Sequence, residues 1–492
     1  MMVNTPALGD VRAVNDRWVF AGLLALLAWA PLPLGSNRTW AIGVLLVVAL
    51  LLLAGAVFAW RQQADAALDR LAPFRWPLGL LAGMVLLSWA QTCYLPASWV
   101  AAVSPMAAAA QAPADMMALS LDVFQSRTMA SLALVYFVVF LLALLTVRSA
   151  HRLDRLAQVL VWSGVLQAVL GAVLFSMSAG YRIFFVQVSH VRMIGAFVYH
   201  NSMAGYLCLC LSVGVGLMLA RLGSHKVRHA NWRARVVAAI AFVLSPKMRL
   251  RLLLVVMVIA LVLTRSRMGN AAFFTALLVV GLAAIVLARK TAPQTIALIA
   301  SLVIIDVLVV GTWVGLEKVV ERIQETEISV ADGGKSESIE ARTEAARTAL
   351  AIVRDFPLVG TGGGSFYNVF LSYRTPQYGY AYVDHTHNDF VEIATDYGLV
   401  GLSLLGGLAA LTLATVLKVL ARRKSSLPWG IGFGVAMAIV GLLVHSTVDF
   451  NLQIPANALT MVVILAMGWI AQALPSARSR RTQIKGGDHD AA

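Results

Sequence analysis

Two histidines stand two residues apart in the polar run Asp384-His385-Thr386-His387-Asn388-Asp389-Phe390. An imidazole exchanges protons near neutral pH, so such a residue in a turn is either a general base or a hydrogen-bonded structural group. A metal site is not indicated, because the pair lacks a third ligand at close spacing. His387 is the expected base, with His385 as its substitute. A second chemistry is carried by arginine. Arg265 and Arg267 share the short segment Thr264-Arg265-Ser266-Arg267-Met268-Gly269-Asn270, and Arg192 lies in another short loop. Guanidinium forks bind phosphate oxygens in pairs, for which lysine is a poor substitute. The alternative is that each arginine snorkels at the membrane interface or pairs with an acidic residue.

Further candidates surround these. A helix is expected over 338–356, stopped by Pro357, and it carries Arg342 and Arg347. Both either reach a ligand or lie on a solvated helix face. The cluster Gly360-Thr361-Gly362-Gly363-Gly364-Ser365 suits an approach of backbone amides to an anion or, as the preferred reading, a tight turn. It is no Walker loop, since no lysine follows. His445 and Asp449 are close enough in sequence to hydrogen-bond, as a clasp or in a direct role. Asp306 is an intramembrane carboxylate without an evident partner.

The elements that hold these residues are membrane helices. Of 492 residues 60% are hydrophobic and 13% charged, with mean hydropathy +0.79, whereas soluble domains carry about 25% charged residues. An ordinary soluble enzyme is excluded. Apolar spans fall at 18–36, 40–60, 77–95, 128–147, 156–177, 201–221, 250–264, 271–288, 294–316, 398–420, 428–446 and 455–474, each about the length that crosses a bilayer. The first lacks a small-residue cleavage site and reads as a retained anchor. The piece 236–246 is too short to cross and reads as interfacial. With three cysteines no disulfide framework is expected.

Charge sets the orientation. With both termini cytoplasmic, 26 of the 39 Lys and Arg fall on that side, and the short opposite loops hold only Arg38, Arg182, Arg192, Arg265 and Arg267. The net charge of +15 is therefore topological, and no nucleic-acid partner is expected. The expected organisation is spans one to nine in 1–316, a periplasmic loop with the catalytic motif in 317–397, spans ten to twelve in 398–474 and a basic cytoplasmic tail in 475–492. Arg192, Arg265, Arg267 and His387 then share the outer face.

The motifs resemble the O-antigen ligase and polymerase superfamily. They run from Arg192-x-x-Gly195-x-Phe197 with Asn201, Ala204 and Gly205, through Ser266-Arg267, Arg342 and Asp355-x-Pro357-Leu358-x-Gly360-x-Gly362, to His387-Asn388 with Gly398. The ending His445-Ser446-x-x-Asp449-Phe450-x-Leu452-Gln453-x-Pro455-Ala456 also fits. His200 departs from the pattern, standing where relatives commonly have proline, and reads as structural.

The resemblance implies an all-α, GT-C-like polytopic membrane protein of about twelve spans, with a large helical periplasmic loop between spans nine and ten. It implies an inverting, metal-independent glycosyltransferase of the bacterial inner membrane. The glycan donor is carried on undecaprenyl pyrophosphate and the acceptor is the lipid A-core oligosaccharide, with no cofactor. His387 takes the hydroxyl proton, and Arg192, Arg265 and Arg267 stabilise the leaving pyrophosphate; Arg342, Arg347, Asn388, His385, His445 and Asp449 are secondary candidates. Alternatives are an O-antigen polymerase or protein O-oligosaccharyltransferase of the same family, and a lipid-linked sugar transporter. Polar motifs concentrated on one face, with few ionisable residues in mid-span, disfavour the transporter.

Overall fold

The computed structural model describes residues 14–177, 181–183, 186–188, 192–221, 245–287, 339–375, 378, 383–422 and 425–474. The expected span 294–316 with Asp306, most of the piece 236–246 and the tail 475–492 lie outside these residues. The other expected spans coincide with helices: α1 (Arg17–Trp29), α2 (Thr39–Trp60), α3 (Arg75–Ala90), α4 (Val123–Thr146), α5 (Ala150–Ser176), α6 (His200–Arg221), α7 (Pro246–Leu263), α8 (Arg267–Leu287), then, after the loop helix α9 (Ile339–Asp355), α10 (Asp389–Arg422), α11 (Ser426–His445) and α12 (Pro455–Ala473). Nine described helices are long and apolar enough to cross a membrane, and the chain is an all-α polytopic membrane protein. Helix α1 is shorter than its apolar run, because Pro31 and Pro33 end it and a 3-10 turn, Leu34–Ser36, follows. Helix α7 begins with Lys247, Arg249 and Arg251, which bring charge into its first turns.

The centre of the bundle is α6, buried along nearly its whole length, with α11 and α12 against it. Helices α6 and α11 approach until their backbones touch. A Cβ on Gly216 would lie 2.2 Å from the Gly430 carbonyl oxygen, one on Gly430 2.3 Å from that of Gly216, and one on Gly434 2.6 Å from that of Ser212. Between lipid-embedded helices there is no hydrophobic drive to associate, so close packing through small residues supplies the attraction. The crossing sets His200, at the head of α6, near His445, at the foot of α11.

At the opposite end arginines fasten helix termini. Asp16 accepts from Arg148 (2.8 Å) and Arg152 (2.7 Å), and Arg70 donates to the last carbonyls of α4, at Leu144, Leu145 and Val147.

A second, smaller apolar cluster joins two separated stretches of chain. Val100, Met117 and Leu119 pack with Ile352, Phe356, Phe366 and Phe370. The first three belong to the connection between α3 and α4, which forms a hairpin of Tyr94–Pro96 with Met116–Ala118 enclosing two short helices. The expected extramembrane region 317–397 thus gains a packed partner from residues 94–121.

Candidate functional site

The polar run before α10 is shaped by its own side chains. Asn388 caps the helix, its Oδ1 accepting from the amides of Phe390 (3.0 Å) and Val391 (3.1 Å), while its Nδ2 donates to the Thr447 carbonyl (2.9 Å). Asp389 is buried and ties this head to the loop after α11, accepting from Ser446 Oγ (2.6 Å) and the Leu452 amide (3.1 Å). Between these anchors His387 is held in the left-handed region, at φ 54°, a conformation that costs a non-glycine residue energy and concentrates at functional sites. Arg265 shares it, also at φ 54°.

His387 is half-buried, not an exposed loop imidazole. Its ring meets Phe450 edge-on at 5.1 Å, and its Nδ1 is buried. Burial, then the Arg342 charge, lowers its pKa to about 4. At neutral pH the ring is uncharged and able to accept a proton. His385 is the reverse case. Its Nδ1 lies 2.6 Å from Glu392 Oε1, and its ring is stacked on Phe450 at 4.0 Å. Burial pulls its pKa down, but Glu392 outweighs this and raises it to about 9. A histidine already carrying its proton is not a base, so environment distinguishes the residue that the sequence ranked first as base from its substitute.

Arg342 reaches in from α9. Its Nη2 donates to the Tyr199 hydroxyl (2.7 Å), and its Nη1 stands 3.9 Å from Asp449 Oδ2. Burial pushes the Asp449 carboxyl up to about 6. The expected hydrogen bond between His445 and Asp449 does not form: their nearest atoms are 3.7 Å apart, and both side chains are buried. Arg192 donates to His200 Nε2 at 2.9 Å, and the His200 ring packs edge-on against Tyr199 at 4.5 Å. The fold therefore gathers His385, His387, Arg342, Arg192, His445 and Asp449 around Tyr199 and Phe450.

Arg265 and Arg267 are exposed at the head of α8. That head packs on α6, since a Cβ on Gly269 would lie 2.6 Å from the Ala204 Cβ. Arg347 is exposed on α9. Among the described residues no group of three or more His, Cys, Asp or Glu is arranged to hold a metal ion.

The glycine cluster is a tight turn whose amides are all engaged. Thr361 and Gly362 donate to the carbonyls of Thr395 and Asp396, Gly363 to Gln91 Oε1, and Gly364 and Phe366 to the Asp396 carboxylate at 2.7 and 3.2 Å. The anion at this loop is the protein's own side chain. Asp396, Glu392 and Tyr199 are the residues that sequence reasoning passed over, and Phe450 it named only within the closing motif. Asp389, Glu392 and Asp396 did leave a signal, three acids at helical spacing ahead of an apolar span.

A comparison with curated proteins finds no match to this chain. Residues 252–406 match a family model described as O-antigen ligase, a stretch that holds Arg265, Arg267, Arg342, His385 and His387 and ends beyond the break at Gly398. Over this stretch the chain is similar to the O-antigen ligase family.

Proposed function

We propose that the protein is an O-antigen ligase of the bacterial inner membrane, with its site on the periplasmic face and both termini in the cytoplasm. It moves a glycan from undecaprenyl pyrophosphate to the lipid A-core oligosaccharide. The observation that carries this reading is the half-buried, uncharged His387, held at positive φ near the Arg342 guanidinium at one end of the helix bundle. A hydroxyl of the acceptor attacks the anomeric carbon from the face opposite the pyrophosphate, and the configuration inverts. The new C–O bond forms as the bond to the phosphate oxygen breaks; the hydroxyl proton passes to His387, and the electron pair leaves with the pyrophosphate. Arg192, Arg265 and Arg267, with Arg342, are the cations for that charge, in the role preorganised donors play at developing oxyanions. Residues 317–397 form the periplasmic part, helped by 94–121.

The test is reconstitution. Purified protein receives undecaprenyl-pyrophosphate glycan with either rough lipopolysaccharide or additional donor. Glycan appearing on lipid A supports the ligase, whereas a longer lipid-linked glycan makes the protein a polymerase. An EDTA-treated sample should transfer at the untreated rate, and a loss restored by Mg²⁺ or Mn²⁺ overturns the arginine mechanism.

A further inference from the structure

The head of α10 carries three buried carboxyl groups within two turns, Asp389, Glu392 and Asp396. Asp389 is matched by the Ser446 hydroxyl and the Leu452 amide, and Asp396 by the amides of Gly364 and Phe366. Glu392 is matched differently. Its Oε2 accepts from the Thr386 amide (2.9 Å) and hydroxyl (3.2 Å), and its Oε1 faces His385 Nδ1 at 2.6 Å. A carboxylate this far from water needs a charged partner or a proton, and His385 is the ionisable group in contact with it. The same imidazole lies nearly flat on Phe450, at 18°, an arrangement that favours a cation over the ring face. Its side chain is 23% exposed while that of Glu392 is 3% exposed, so one edge is held inside while a part of the ring reaches the surface.

We propose that Glu392 is a positioning residue that fixes His385 as an imidazolium, and that this cation contacts the diphosphate of the lipid donor instead of serving as a second base. The inference rests on the transferase reading above and assigns His385 a part in it. His385 keeps its proton throughout, and the hydroxyl proton still goes to His387. The groups acting on His385 are Glu392 and Asp389 on α10, Asp396 a turn further along, Asp384 beside it, His387 two residues away and Asp449 from the loop after α11. Since the acids raise its pKa to about 9, the cationic contact persists below that pH and is lost as pH rises through it.

The experiment uses the full chain in nanodiscs and farnesyl diphosphate, which carries the diphosphate but no sugar to transfer. Wild type should bind with constant affinity up to about pH 8 and weaken about tenfold above pH 9. In Glu392→Gln the same weakening should begin near the ordinary imidazole pKa, about 6.5, and His385→Arg should bind independently of pH across this range. An unshifted curve in Glu392→Gln, with binding retained, overturns the inference and leaves the transferase reading standing. No wild-type binding at any pH overturns both. If Glu392→Gln does not insert, ¹⁵N-histidine NMR of the wild type at about pH 8 decides it: both ring nitrogens of His385 protonated support the proposal, and a neutral ring overturns it.

Discussion

At the scale of single residues, the site separates two histidines by what surrounds them. Phe450 touches both rings, yet one faces a carboxylate and the other a guanidinium. His387→Ala should lower the transfer rate by about 10²- to 10⁴-fold, the range of general-base help, measured at matched protein level in the membrane. Because Nδ1 of His387 is buried, thermal stability of the variant must be followed alongside. With a pKa of about 4, His387 stays neutral well below pH 6. The rate should therefore hold down to mildly acid pH and fall only as pH drops through that value. The profile is best taken in Asp449→Asn as well, since that carboxyl titrates near 6. A fall centred at the free imidazole value in both proteins would show that another base takes the proton. Arg267 tests the phosphate contact. Lysine keeps the charge and loses the fork, so Arg267→Lys should be nearly as impaired as Arg267→Ala, each by about 1.5 to 3 kcal/mol per charged hydrogen bond lost. Full activity of the lysine variant would reduce Arg267 to an interfacial cation.

Among the elements, α10 decides whether the residues meet. Its helix is broken at Gly398, with φ 64° and ψ −169°, and the break sets the head bearing Glu392 and Asp396 at an angle to the apolar remainder. Leu399 and Val400 donate to the carbonyls of Pro357 and Leu358, so the break is clamped by the strand of chain that follows α9. A Cβ at Gly398 would lie 2.2 Å from the Leu358 carbonyl oxygen. Gly398→Ala should cost at least the roughly 1–3 kcal/mol of a strained backbone position, read as a lower melting temperature in detergent. Transfer should fall with it, because the head of α10 carries the turn that holds His387. A variant with wild-type melting would mean that the break relaxes without the glycine.

The whole molecule is oriented by its charges, and it contains its own probe of that orientation. Cys93 is exposed and directly follows the C-terminal end of α3, which the proposed orientation puts outside, whereas Cys208 and Cys210 are buried inside α6. A membrane-impermeant maleimide added to spheroplasts should label the protein once, at Cys93, and Cys93→Ser should abolish labelling. Labelling that requires permeabilised membranes would invert the topology and place the site in the cytoplasm.

The sequence by itself determined the membrane class and the placement of the spans, because apolar run length and the distribution of Lys and Arg are properties of the chain alone. It also marked α9 and its stop at Pro357, since proline acts through local backbone geometry. Which histidine is neutral was not legible. That depends on Glu392 lying against one ring and on the burial of the other near the Arg342 charge, and Arg342 arrives from a different helix. The same holds for Tyr199 and Phe450, which are far apart in sequence and meet only because close glycine packing draws α6 against α11. The tight turn at Gly360–Ser365 was legible but its partners were not: its amides are taken up by Thr395, Asp396 and Gln91, all distant in sequence. Local pattern specifies elements, whereas charge states and paired polar groups belong to contacts between elements, and these exist only once the chain is folded.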